Sequence, residues 1–96
     1  MADQTYAVRY EYVPDMESRR APHREGHLAF LRTAADDGRL LLAGALTDPV
    51  DAGWLVVRAE SEHGAYAMVL EGDPYARAGL IRSVTVRPIT LVVPSA

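Results

Sequence analysis

From Thr5 to Val13 the chain alternates. Tyr6, Val8, Tyr10 and Tyr12 share one face, with Ala7, Arg9 and Glu11 on the other. A period of two predicts a strand. Pro14 ends it, and Asp15 to Ala21 reads as a polar loop. Pro22 suits the first turn of a helix, where the N–H it lacks would have no intrahelical partner. The helix is predicted to run to Asp37, with Gly38 as its stop. At 100° per residue, Leu28, Leu31, Ala34 and Ala35 form an apolar arc with Phe30 at its edge. Glu25, Arg32, Thr33, Asp36 and Asp37 fall outside. His27 falls near the middle of the arc, so it is expected to face the sheet rather than water.

Leu40 to Leu46 and Trp54 to Ala59 are short apolar runs on either side of a turn at residues 48–53, and both read as strands. Each is apolar on both faces and needs cover on both sides. Ser61 is the N-cap of a helix from Glu62 to Glu71, with Gly72 as its stop. The run from Asp73 to Gly79 is a complete short helical unit, with Asp as cap, Pro74 at the first position and a closing glycine. Leu80 to Val93 alternates as a long last strand, and Pro88 implies an edge or a bulge.

The order β–α–β–β–α–β fits a ferredoxin-like α+β sandwich, one antiparallel sheet with both helices on one face. Residues 1–96 read as one domain without repeats or linkers. A single helical layer leaves the other sheet face bare. Pairing two such faces across a two-fold axis is the economical cover, so a homodimer is expected.

Composition sharpens that expectation. A chain of 96 residues buries only about 60–65% of its unfolded surface and gains most from a staple or a partner. There is no cysteine, which removes disulfides, thiolate nucleophiles and Cys-ligated metal. All ten basic residues are arginine, which removes lysine Schiff-base chemistry. The net charge is −3 and no basic face stands out, so no nucleic-acid partner is expected. Met1-Ala2-Asp3-Gln4 has no apolar stretch behind it, and no apolar run approaches the roughly 20 residues that span a bilayer. A cytoplasmic protein without membrane contact is expected.

His27 has the strongest case for chemistry. A histidine on an apolar helix face must find a hydrogen-bond partner or lose about 1–3 kcal/mol. Spacing alone favours a core histidine bonded to a backbone carbonyl over a general base held by a carboxylate. Asp73 is a candidate partner. It also caps the Pro74 helix, and one carboxylate can do both. His23 and His27 have the i, i+4 spacing of a shared metal, but no third ligand is apparent and the glutamate is misplaced for a zincin motif, so no metal is expected. His63 is expected to be exposed and inert. Tyr6, Tyr10 and Tyr12 line a pocket or form core, with Tyr10 taken as a substrate contact. Arg19, Arg20 and Arg24 surround the start of the first helix, as an anion site or as a solvated turn.

Arg20, Arg24 and His27-Leu28, then the run Gly38 to Gly44, then Asp73-Pro74-Tyr75 and Ala78-Gly79-Leu80, together resemble the YciI-like (YCII-related) family. The resemblance covers Tyr6 to about Val93. It implies a ferredoxin-like fold that pairs as a dimeric α+β barrel. It also implies an active site built on a histidine–aspartate pair, matching His27 and Asp73, with Arg24 at the arginine three residues earlier. Some relatives resemble dehydrochlorinases of hydroxylated aromatic rings, and the wider superfamily includes muconolactone isomerases. Relatives commonly carry Gly-Pro after the second strand, where this chain has Gly44-Ala45. Substrate identity therefore does not carry over.

The expectation is a cofactor-independent isomerase or lyase. In it His27 moves a proton on a small, cyclic or phenolic, anionic substrate. Asp73 orients the imidazole, and Arg24 and Arg20 hold the anion. The alternative is a dimeric module that binds a small ligand without turnover. A haem-handling or monooxygenase role ranks last, because the histidine it would use is already taken.

Overall fold

In the computed structural model, which describes residues 3–94, the elements follow the expected order. Strand β1 is Gln4–Tyr12, β2 is Leu40–Ala45, β3 is Ala52–Ala59 and β4 is Ile81–Pro88. Helix α1 is Met16–Arg19, α2 is Arg24–Asp36, α3 is Glu62–Gly72 and α4 is Pro74–Arg77. The sheet order is β2-β3-β1-β4, and every neighbouring pair is antiparallel. With the helices against one face, this is the ferredoxin-like α+β sandwich. Met1 and Ala2, part of the segment read as lacking a leader, lie outside the described residues. No described helix is long and apolar enough to cross a membrane.

The alternation of β1 places its side chains as the pattern demands. Tyr6, Val8, Tyr10 and Tyr12 are buried under the helices, while Glu11 is exposed. Register carries that face across the sheet. Val8 is opposite Leu55 on one side and Val86 on the other. From above, Ala34 of α2, Val69 and Ala65 of α3 and Tyr75 of α4 complete the core. Each fully buried valine or leucine contributes about 1.5–3 kcal/mol, so this one layer supplies most of the stability.

Besides shifts of one or two residues at other ends (β3 begins at Ala52 rather than Trp54), three boundaries differ from expectation. The loop at residues 15–21 contains the helical turn α1, which buries Met16. The helix expected from Pro22 begins as a 3₁₀ turn over Ala21–His23 and becomes α-helical at Arg24. The last strand, expected to reach Val93, ends at Pro88. One further backbone bond joins Ile89 N–H to Thr5 O, and the Thr5 hydroxyl donates to Ile89 O, but β1 begins at Gln4, so the described chain beyond has no strand to pair with. Val92 and Val93 are accordingly exposed.

Two glycines are fixed by the backbone. Gly38 and Gly79 close α2 and α4 at φ +77° and +74°, a region costly for other residues. Gly72 is a different case. It is the last residue of α3 rather than its stop, and a Cβ there would lie 2.6 Å from the Phe30 ring. It is glycine because α2 and α3 approach closely.

The sheet face away from the helices is bare. Leu42 and Trp54 are 54% and 41% exposed, with Arg9 5.8 Å from the Trp54 ring. The expected second face is therefore apolar in part, with Leu42 and Trp54 beside Arg9, and nothing among the described residues covers these two side chains.

Candidate functional site

Asp73 sits where α3 gives way to α4. The residue before a proline is pushed out of helical conformation, and Asp73 is extended at φ −84°, ψ 120°. The kink turns its side chain inward, to complete burial. There it receives three donors. Its Oδ1 accepts the Tyr75 backbone N–H at 3.0 Å and lies 2.8 Å from His27 Nδ1. Its Oδ2 accepts the Tyr10 hydroxyl at 2.8 Å. Donors from α4, α2 and β1 thus converge on one carboxyl group. With the imidazole in the tautomer that carries its proton on Nδ1, all three partners donate and the carboxyl oxygens only accept. The cap and the imidazole partner coexist on one side chain.

His27 is 7% exposed. It reaches Asp73 because Gly26 lets α4 close on α2, with Pro74 Cγ 3.3 Å from where a Gly26 Cβ would stand. The imidazole lies flat on Tyr75, centroids 3.7 Å apart and planes 5° from parallel. Asp73 therefore fixes which nitrogen carries the proton, and Tyr75 fixes the plane of the ring. With Nδ1 donating, Nε2 has no hydrogen-bond partner among the described residues. Every sealed-off side-chain nitrogen and oxygen described has a partner, so Nε2 opens to a cavity.

That cavity is about 210 Å³. His27 and Tyr75 form its floor, Leu28 and Leu31 one wall, and Ala43 to Ala45 with Trp54 the other. Arg20 and Arg24 stand at its side. Arg24 Nη1 donates to the Tyr75 hydroxyl at 3.2 Å, which ties one guanidinium to the ring under the imidazole. The lining joins apolar walls to two guanidinium groups, that of Arg24 held by its bond to Tyr75, and one imidazole nitrogen.

The expected residues come together unevenly. His27, Asp73, Arg20 and Arg24 meet here. Tyr10 lines the cavity, yet it is fully buried and its hydroxyl is spent on Asp73, so it supports the carboxylate. Burial, then the charge of Asp73 and the bond to it, push the Tyr10 phenol far above its ordinary range. His23 lies on the preceding 3₁₀ turn, and His63 is exposed on α3. Arg19 is exposed on α1 and does not line the cavity. The sequence reading missed Tyr75. Its place one residue after the Asp-Pro kink of a neighbouring helix was the available signal.

The YCII-related domain model matches residues 5–90. The protein YciI of Escherichia coli O6:H1 (strain CFT073) is 33% identical over 91% of this chain and 97% of its own. YciI of Shigella flexneri matches to the same extent. Among solved structures, 5-chloro-2-hydroxyhydroquinone dehydrochlorinase (TftG) from Burkholderia phenoliruptrix AC1100, in complex with 2,5-dihydroxybenzoquinone, superposes with a TM-score of 0.77. It is 21% identical, over 96% of this chain and 99% of that one. A NIPSNAP family protein from Agrobacterium tumefaciens superposes at 0.59 with 17% identity, over 97% and 96% of the two chains. At these identities the superpositions establish a shared fold.

Proposed function

The chain belongs to the YCII-related family, and from that premise we propose that it is a small homodimeric enzyme in which His27 moves a proton on a planar anionic substrate. The observation that carries this is the buried bond from His27 to Asp73 at 2.8 Å, on an imidazole whose other nitrogen opens to a cavity flanked by arginines. A core histidine needs only the bond. It does not need an open second nitrogen or cations beside it.

In this reading Arg20 and Arg24 hold the anion and Leu28, Leu31 and Trp54 enclose its ring. His27 Nε2 takes a proton from a ring carbon next to a carbonyl. The electron pair left behind moves onto a ring oxygen, and Asp73 stabilises the imidazolium that forms. Two outcomes balance. The proton returns to a different carbon, which is isomerisation. Alternatively the electron pair expels a leaving anion such as chloride and Nε2 releases its proton to water, which is elimination. The bare sheet face carrying Leu42 and Trp54 supports pairing with a second copy.

The experiment has two stages. Calorimetric titration with 2,5-dihydroxybenzoquinone, the molecule bound by the Burkholderia relative, is expected to show one site per chain that Arg24→Ala weakens about tenfold or more. Chloride release is then measured with chlorinated hydroxyhydroquinones, and His27→Gln is expected to abolish it. Absence of binding overturns the reading. Binding without turnover of any such substrate leaves a ligand-binding module.

A further inference from the structure

Tyr12 is the last residue of β1 and lines the same cavity. The β1–β4 register shifts between Glu11 and Tyr12, an irregularity of the kind that re-aims a side chain. Its ring packs edge-on against Tyr10 and Tyr75, with centroids 6.2 and 6.3 Å away. Tyr10, one strand repeat earlier, gives its hydroxyl to Asp73. The Tyr12 hydroxyl has no hydrogen-bond partner among the described residues. Since no sealed-off side-chain oxygen is left unpartnered, that hydroxyl opens to the cavity.

The opposite strand makes room for it. A Cβ built on Gly53 would fall on the Tyr12 hydroxyl oxygen. Gly53 is buried in the interior of β3, where glycine weakens a strand. Its φ is not in the left-handed region, so the backbone does not call for glycine there. What requires glycine is the seat of the phenol oxygen.

We propose that Tyr12 is the neutral hydrogen-bond donor of this cavity, directed to a carbonyl or phenolic oxygen of a planar ligand whose charge rests on Arg20 and Arg24. The inference rests on the cavity being a ligand site and adds to it a specificity-determining hydroxyl. Burial first, then the charges of Tyr75 and Asp73, with the two arginines opposing, push the Tyr12 phenol up to about 12. The hydroxyl therefore keeps its proton near neutral pH and donates. An analogue lacking the matching oxygen leaves a desolvated O–H unpaired and is rejected, as polar sites reject ligands that cannot satisfy them.

The probe is 2,5-dihydroxybenzoquinone, titrated into the parent, Tyr12→Phe, Gly53→Ala and Arg24→Ala. Tyr12→Phe removes a hydroxyl with no protein partner, so its melting temperature should match the parent, while the probe binds about tenfold more weakly. Gly53→Ala keeps the phenol and displaces its oxygen, and should weaken the probe similarly. In protein labelled at tyrosine Cζ, the Tyr12 carbon resonance should move on binding and the Tyr10 resonance should stay. Unchanged affinity of Tyr12→Phe beside a weakened Arg24→Ala would sink the Tyr12 assignment and leave the cavity reading standing. A large loss of melting temperature in Tyr12→Phe would mark the hydroxyl as structural and also overturn it. Failure of the parent to bind, or binding that neither Tyr12→Phe nor Arg24→Ala alters, overturns both.

Discussion

The Tyr10 hydroxyl and the Asp73 carboxylate, 63 residues apart in the chain, meet at 2.8 Å in the interior. The bond joins the central strand β1 to the junction of the two C-terminal helices. It occupies the carboxylate oxygen that the imidazole leaves free. Asp73 is thereby held on both oxygens, and its aim at His27 is set by the core rather than by a flexible rotamer.

Replacing that carboxylate separates charge from geometry. Asparagine is as good an N-cap as aspartate, and its amide nitrogen can donate to Tyr10 once that hydroxyl rotates. Asp73→Asn should therefore fold, at a cost of about 1–3 kcal/mol for the lost charged bonds. Asp73→Ala strands the Tyr10 hydroxyl, His27 Nδ1 and the Tyr75 N–H together and should cost clearly more. At roughly 4–8 °C per kcal/mol for a domain of this size, thermal melts of the two variants resolve the difference. Equal melting temperatures would show that the convergence on Asp73 contributes little.

Alkaline stability follows from the two perturbed tyrosines. Tyr12 is pushed up to about 12 and Tyr10 higher still, both chiefly by burial. An unfolded tyrosine releases its proton near pH 10. Between the two values the unfolded chain binds fewer protons, so stability is complete below pH 10 and falls as pH rises. Each group contributes up to about 1.4 kcal/mol per pH unit. With no lysine in the chain, tyrosine is the side-chain type that dominates titration there. Urea midpoints at pH 9, 10 and 11 should fall progressively, and Tyr10→Phe should flatten the decline.

Gly72→Ala should reverse the usual sign of a helical glycine replacement. Alanine normally gains about 1 kcal/mol within a helix. Here its methyl meets Phe30 at 2.6 Å, and the ring must move in a packed interface. A lower melting temperature is expected. Adding Phe30→Leu should relieve the contact and recover part of the loss.

The bare sheet face makes the oligomeric state measurable. Light scattering at micromolar concentration should give twice the 10.5 kDa chain mass. Trp54→Glu places a charge on that face and should shift the protein toward monomer. A monomeric parent would show that the face is left to water.

Most of the architecture was legible because it rests on local periodicity. The two-residue repeat of β1 and the apolar arc of α2 placed Tyr10 and His27 inward before any tertiary contact was known. The Asp-Pro-Tyr run announced both the end of one helix and the cap of the next. What stayed hidden depends on partners distant in sequence. Nothing around Tyr75 says that its ring will lie under an imidazole from α2. Nothing around Tyr10 says that its hydroxyl will find Asp73. The alternation beyond Pro88 suggested more strand, but a strand also needs a neighbour, and β1 had already run out. Helix α1 escaped because four residues are too few to show a helical period.

Trp54 is the sole tryptophan of the chain. Its indole stands both in the wall of the cavity and in the shallow groove of the bare face beside Arg9 and Arg87. One fluorophore thus reports on two surfaces. The same sharing makes the surfaces thermodynamic neighbours. Whatever restrains the indole from one side changes the wall met from the other, and such coupling is reciprocal. On the proposed pairing through this face, ligand affinity is expected to depend on the concentration of the protein itself.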